Sequence, residues 1–291
     1  MSLLVAAFLG VAGCGTSHPQ VRPSLSADQK LERAEQILIS ACMSAHGFRY
    51  WVPPPAPVPA PDPARRFPHV IDDVAWARAN GYGRTAEMSG DEHARLVRND
   101  PNLRYARSLS PGRRGAYELT LRGPPPSAGG SITVRTPRGY TLRTSGKGCI
   151  AAAGARLYGD FATWDRAQVI VDNLWPEISA EVRADRAYGA ATGRWAGCMR
   201  RAGHAYANPD RLRDDLDRTA AGADPAAAHR AEITLAVAEA TCARSSGLGP
   251  ISRRLDAKYT AEVEARFRGT IDTFRRLRAD ALRRADALVG P

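Results

Sequence analysis

Two stretches, Cys42-Met-Ser-Ala-His-Gly-Phe-Arg-Tyr50 and Cys198-Met-Arg-Arg-Ala-Gly-His-Ala-Tyr206, align without a gap. Cys, Met, Gly and Tyr recur at the same spacing, and a proline follows eleven residues after each Cys, at Pro53 and Pro209. Each copy also has a later cysteine with a glycine five residues on: Cys149 with Gly154, and Cys242 with Gly247. The duplication reads as two versions of one disulfide-stapled helical unit. Upstream of the first copy, Leu31, Ala34, Leu38, Ala41, Cys42 and Ala45 recur at spacings of three and four. That is one face of a helix, with Gly47 placed to end it, so Cys42 belongs in the last turns and faces the core.

A chain of 291 residues has room for two modest domains, and the duplication favours that division. Hydrophobic residues make up 44% and charged residues 24%, which is globular composition able to bury a core. The formal net charge of +11 is carried almost wholly by arginine, lysine occurring only at Lys30, Lys147 and Lys258. Such usage is explained either by a GC-rich genome or by attraction to anionic polymers, lipid headgroups or nucleic acid.

The N-terminus is apolar from Leu3 to Val11 and runs into Val11-Ala-Gly-Cys14. It is too short for an ordinary membrane span, and small residues before a Cys fit a processing site. The four positions resemble the lipobox of bacterial lipoproteins, with Val11 in place of the commoner Leu and with no basic residues before the apolar run. The resemblance implies a signal peptide over 1–13, lipidation (acylation, as by palmitate) of Cys14, a polar tether over 14–25 and a location on the outer face of the bacterial cytoplasmic membrane. Setting Cys14 aside leaves Cys42, Cys149, Cys198 and Cys242, an even set in a chain bound for an oxidising compartment. Four cysteines allow three connectivities, and the repeat selects Cys42 with Cys149 and Cys198 with Cys242.

The expected fold is mainly α, with a first helical unit over 26–184, a second over 185–291, one small β-hairpin in the first unit and a long C-terminal helix. Ser26 and Gln29 form a capping-box pattern at the start of the first helix. Pro53 to Pro63 is a proline-rich insert that reads as an extended spacer. Short helices follow over Asp72 to Gly81, Asp91 to Arg98, Pro101 to Leu109 and Pro111 to Arg122. Ile132-Thr-Val-Arg-Thr and Tyr140-Thr-Leu-Arg-Thr flank Pro137-Arg-Gly139 as a hairpin. Helices then open at Cys149 and Phe161, with Pro176 bending or restarting the second. In the other unit, helices start near Asp185, Asn208-Pro209 and Asp224-Pro225. A final helix from about Ser252 to Leu288 carries the i,i+4 pairs Glu262–Arg266, Glu264–Arg268, Asp272–Arg276 and Asp280–Arg284 on a solvated face.

Motifs of known chemistry are scarce. The histidines form neither H-E-x-x-H nor an i,i+4 pair, and there is no Cys-x-x-Cys, so no metal site is indicated. His46 and His204 sit beside the repeated glycines in different register, which reads as helix-end packing. No phosphate loop, dinucleotide fingerprint or nucleophile elbow is present, so neither catalytic residues nor cofactors are assigned. Asp72-Asp73 and Asp91-Glu92 stand at helix starts, where carboxylates cap.

Taken together, the lipobox, the paired C-M-x3-G-x2-Y motifs, the Asp73-Val-Ala-Trp-Ala-Arg-Ala-Asn-Gly-Tyr-Gly83 stretch and Leu157-Tyr-Gly-Asp160 resemble secreted lipoproteins of high-GC Gram-positive bacteria. The second copy departs in having His204 where the first has Phe48. The resemblance implies localisation and disulfides but carries no activity. The expectation is a non-enzymatic, lipid-anchored envelope protein that binds an anionic wall polymer or another envelope protein. Nucleic acid is disfavoured because acidic residues interrupt the basic ones along the final helix. The alternative is a secreted enzyme or enzyme regulator whose site lies in the loops of the first unit, between Cys42 and Cys149. A pocket there with converging Asp, Arg and Tyr side chains would favour the alternative.

Overall fold

A computed structural model describes residues 25–55, 66–83, 90–219 and 224–290. The expected signal peptide over 1–13, Cys14 and most of the proline-rich insert lie outside these residues. The protein is mainly helical with one antiparallel hairpin. Helix α1 (Ala27–Ala45) starts as its sequence dictates: the Gln29 amide donates to Ser26 Oγ and the Ser26 amide donates back to Gln29 Oε1, the reciprocal pair of a capping box. Then come α2 (Val74–Asn80), α3 (Gly90–Asn99), α4 (Pro101–Ser108) and α5 (Pro111–Arg122).

Strands β1 (Ser131–Arg135) and β2 (Thr141–Ser145) pair with Thr133 opposite Arg143 and Arg135 opposite Thr141. Their turn closes by hydrogen bonds from Gly139 N to Thr136 O and from Thr136 N to Tyr140 O. Gly139 takes φ +85°, the left-handed residue this turn requires. Helices α6 (Gly148–Tyr158), α7 (Phe161–Asp172), α8 (Leu174–Ala184), α9 (Arg186–Arg201), α10 (Pro209–Thr219), α11 (Pro225–Ser246), α12 (Leu248–Arg266) and α13 (Arg268–Val289) complete the chain. The helix restarts at Asn173, just ahead of Pro176, so that the proline, with no N–H to donate, falls in the first turn of α8.

Both expected disulfides are formed. Cys42 joins Cys149 and Cys198 joins Cys242, each with Cα atoms 5.6 Å apart. The two copies of the repeat end their helices identically. The amides of Phe48 and His204 reach back to the carbonyls of Met43 and Met199 (3.0 and 2.8 Å), and those of Gly47 and Gly203 reach Ser44 and Arg200 (3.0 and 3.1 Å). This is a Schellman end, which needs a left-handed residue, and Gly47 and Gly203 have φ +75° and +87°. It explains the invariant Met-to-Gly spacing: Met43 and Met199 are fully buried one turn before the end.

The likeness stops there. Cys149 is the second residue of α6, whereas Cys242 lies near the end of α11. Gly154 lies inside α6 because the Phe161 ring occupies the space a Cβ would take, while Gly247 is a left-handed helix end. The equal Cys-to-Gly spacings are therefore not equivalent in structure.

The cores do not divide near Asp185. The first is built from Leu31, Leu38 and Met43 of α1, Tyr117 of α5, Leu157 of α6 and Trp164 of α7, and it also takes Leu277, Ala281 and Ala285 of α13. A ring stack ties these together: Tyr158 on Trp164 at 3.7 Å, and Trp164 on Phe274 at 5.0 Å. The second core holds Tyr188, Trp195 and Met199 of α9, Leu212 of α10, Leu248 and Leu255 of α12, but also Val70 and Val182 from the first half. Phe67, Ile71 and Ala77 pack on Ala236 and Ala240 of α11. The halves thus exchange elements. The segment 66–82 straps the second core, and α13 returns to cover the first.

The expected single helix from Ser252 to Leu288 is two, α12 and α13, separated at Phe267, with Gly269 weakening helix continuation just beyond it. None of the expected i,i+4 pairs forms among the described residues: Arg275 and Arg283 pair with Asp272 and Asp280 three residues earlier, and three other arginines take partners on other helices. Arg266 reaches Glu177 and Glu181 of α8, Arg278 reaches Asp28, and Arg284 Nη1 donates to the Leu157 carbonyl at the end of α6 (2.7 Å). The cause is that α13 is covered by neighbours, so long side chains at its margins meet foreign carboxylates and carbonyls first.

Candidate functional site

An open groove of roughly 790 Å3 lies between the hairpin tip and α8. Arg138 and Tyr140 of the hairpin form one wall; Trp175, Ser179 and Arg183, spaced four apart on α8, form the other. That spacing puts the three on one helix face. The hairpin turn holds Arg138 and Tyr140 close to Gly139, and Tyr140 is 68% exposed. Trp175 is 43% exposed. Ser179 lies on the floor, buried, with its hydroxyl bonded to no protein group.

The groove lining contains no carboxylate, thiol or imidazole. Arg183 is held by both oxygens of Asp210, Nε to Oδ2 at 2.7 Å and Nη2 to Oδ1 at 2.9 Å, which fixes its guanidinium plane. Arg138 is exposed and makes no ion pair among the described residues. What the groove offers is the Arg138 guanidinium, the Arg183 guanidinium already paired with Asp210, and two exposed aromatic faces. These bind anions and ring faces; they do not transfer protons at neutral pH.

Behind Trp175 is a buried polar layer. The Trp175 ring lies 5.2 Å from that of His69, whose Nε2 bonds Asp256 Oδ1 at 3.0 Å. Burial pushes the His69 imidazole below its ordinary range, the Asp256 contact opposing that shift. The His69 carbonyl accepts from Arg213 Nη1 (3.3 Å), and Arg213 Nη2 continues to Glu239 Oε1 (3.2 Å). Glu239 is fully buried, and its Oε1 also accepts the Ile71 amide (3.3 Å). Burial raises the carboxyl, with Arg213 opposing. Tyr82 lies against Glu239 closely enough for each to affect the other's ionisation, yet Tyr82 Oη and Glu239 Oε2 are not in hydrogen-bonding geometry.

This layer ties down the strap. Asp72 pairs with Arg253, Asp73 caps α2 through the Trp76 amide (2.9 Å), and the Tyr82 amide donates to Glu232 (2.7 Å). Of the expected cap pair, Asp73 caps and Asp72 instead bridges to α12. Gly249 has no side chain because Asp72 occupies its Cβ position.

Two other places were indicated by residue type. Cys42, His46 and Cys149 bring donor atoms within 4.8 Å of one another, but the two sulfurs are joined and His46 Nδ1 engages the Cys42 carbonyl (2.9 Å). They therefore present no thiolate to a metal. A shallower hollow lies beside Trp51, Arg104 and Tyr105, where the Trp51 backbone is held at both ends by Asn102.

Sequence reasoning missed the groove and the polar layer. Trp175 reads as part of an apolar stripe, and Tyr140 as a strand residue. The available signals were an acid on the alanine face of α11, at Glu239 between Ala236 and Ala240, and a histidine inside the apolar run Phe67-Pro-His-Val-Ile71. No helix in the described residues is long and apolar enough to cross a membrane. Comparison of the chain with protein-family models, curated proteins and solved structures gives no match.

Proposed function

We propose that the protein is a non-enzymatic binding protein of the bacterial cell envelope, tethered through Cys14, that holds an acidic sugar in the groove between the hairpin tip and α8. The observation that carries the reading is the makeup of the groove: Arg138 and Arg183 beside the exposed rings of Tyr140 and Trp175, with no carboxylate in the lining. Arginine forks match carboxylate and phosphate oxygens, and exposed aromatic faces suit the apolar faces of sugar rings. The Pro- and Ser-containing segment before α1 suits a spacer between a membrane and a folded body. The alternative, an enzyme in the loops of the first unit, calls for an acid beside Arg and Tyr, and the groove brings together only the latter two.

Calorimetric titration with galacturonate tests the groove. Binding is expected, and Trp175→Ala should weaken it by an order of magnitude or more, since a Trp anchor at a binding surface is worth about 2 kcal/mol. Binding of equal strength by the Trp175→Ala protein would place the ligand elsewhere. Cys14→Ala tests the anchor. The variant should be released to the medium or persist as an unprocessed precursor, and normal processing with detergent partitioning would refute the tether.

A further inference from the structure

Resting on that reading of the groove, we infer that its ligand is one end of a linear acidic polysaccharide, which continues round the hairpin tip and along the outer face of the hairpin. From Leu119 to Gly159 the chain carries Arg122, Arg135, Arg138, Arg143, Lys147 and Arg156 and no Asp or Glu. Two other acid-free stretches, 101–117 and 186–209, carry four arginines each, so what sets this one apart is that its Arg135, Arg138 and Arg143 lie on the hairpin beside the groove.

The strand register decides which of these cations act together. Thr133 pairs with Arg143 and Arg135 with Thr141, so the four share one face of the two-stranded ribbon, and all four are exposed. Arg135 and Arg143 are diagonal neighbours on it, a relation that sets Cα atoms roughly 7–8 Å apart. Neither makes an ion pair among the described residues. The opposite face, with Ile132 and Val134 buried, packs on the body. At the tip, Arg135 Nη2 lies 3.6 Å from where a Cβ on Gly139 would stand, which brings its guanidinium beside the turn that holds Arg138 and Tyr140. Arg143, Arg135 and Arg138 therefore form a row that leads from the outer face to the groove, where Arg183 and the aromatic rings follow.

A single small anion would engage only the groove end of this row. A flat, unpaired row of guanidinium groups ending at exposed rings fits a chain with repeating carboxylates on sugar rings. It fits neither a compact anion nor a neutral glycan, and a charge-only partner would leave Tyr140 and Trp175 unused.

The test uses the mature full-length protein with galacturonate, oligogalacturonates of increasing length, dextran and inorganic polyphosphate. Affinity for oligogalacturonate is expected to rise with length, by on the order of tenfold to a hundredfold over the monomer, while dextran does not bind. The Arg135→Gln/Arg143→Gln protein should keep the monomer affinity and lose the gain with length. Its slope of log affinity against log salt should be smaller by about two. A double variant that keeps the full gain overturns the inference, as does an affinity that ignores length. Equal affinity for polyphosphate, unchanged by Trp175→Ala, would mean a pure charge surface and also overturns it. Vesicles of anionic lipid that compete through Arg135 and Arg143 would assign the face to a membrane instead. If galacturonate of every length fails to bind, the groove reading itself falls; monomer binding without a length effect removes only the polymer.

Discussion

At the scale of single residues, His69 and Glu239 make opposite demands on pH. Burial holds the His69 imidazole below its ordinary 6.5, so the native state keeps it neutral while the unfolded chain titrates at 6.5. Its contribution is intact above that value and is lost as pH falls through it towards the lower folded value, because the unfolded state then binds more protons. The groups facing the ring are Asp256, Arg183 and Asp210, and the Asp256 bond moderates the loss without reversing it. Glu239 has the other sign. Its carboxyl is raised above 4.5, so its ionisation as pH climbs past that value weakens the fold. His69→Gln should flatten the decline in urea-measured stability between about pH 7 and pH 5. Glu239→Gln should leave that decline in place and gain relative to wild type as pH rises from about 4 to 7. An unchanged acid limb in His69→Gln would show that the strap does not depend on a neutral ring.

At the scale of elements, the repeated motif is a helix-ending device. Gly203→Ala forces a left-handed alanine and should cost about 1–2 kcal/mol in chemical denaturation. Gly47→Ala should cost a similar amount, although Arg113, which donates to the Gly47 carbonyl at 2.9 Å and lies over Phe48, sits 3.5 Å from the new Cβ. The later glycines should separate by mechanism. Gly154→Ala collides with the Phe161 ring and should be relieved by Phe161→Leu. Gly247→Ala strains its own backbone at φ +76° and should not be relieved by any neighbour. Equal rescue at both sites would contradict the finding that these two glycines are not equivalent.

At the scale of the whole molecule, the exchanged elements bind the halves into one folding unit. A fragment 185–291 lacks the strap that covers Ala236 and Ala240 and lacks Val182; a fragment 26–184 lacks Leu277, Ala281, Ala285 and the Phe274 ring. Each would expose the apolar surface its partner covers, and neither should show a cooperative thermal transition alone. Cooperative melting of either fragment, with dispersed amide resonances, would restore an independent domain at that boundary. The bridges span 107 and 44 residues, for which chain entropy gives upper figures of about 5 and 4 kcal/mol. Each constrains its own half and neither joins the two. Cohesion between the halves therefore rests on packing and on the anchors at Asp72, His69, Ile71 and Tyr82.

What the sequence determined by itself is what local rules control. Capping at Ser26, helix ends at Gly47 and Gly203, the hairpin around Gly139 and both cysteine pairings follow from short-range spacing or from the repeat, because those features are set by backbone geometry within a few residues or by a copied module. The tertiary structure alone decided what depends on distant surfaces meeting. Nothing in Val70 or Ala281 marks which apolar face each will cover, since hydrophobic burial is non-directional and any complementary face satisfies it. The groove has the same origin: Arg138 and Tyr140 stand far from Trp175 and Arg183 in the chain, and they become one site only because β1 packs on α7, which α8 continues past Asn173.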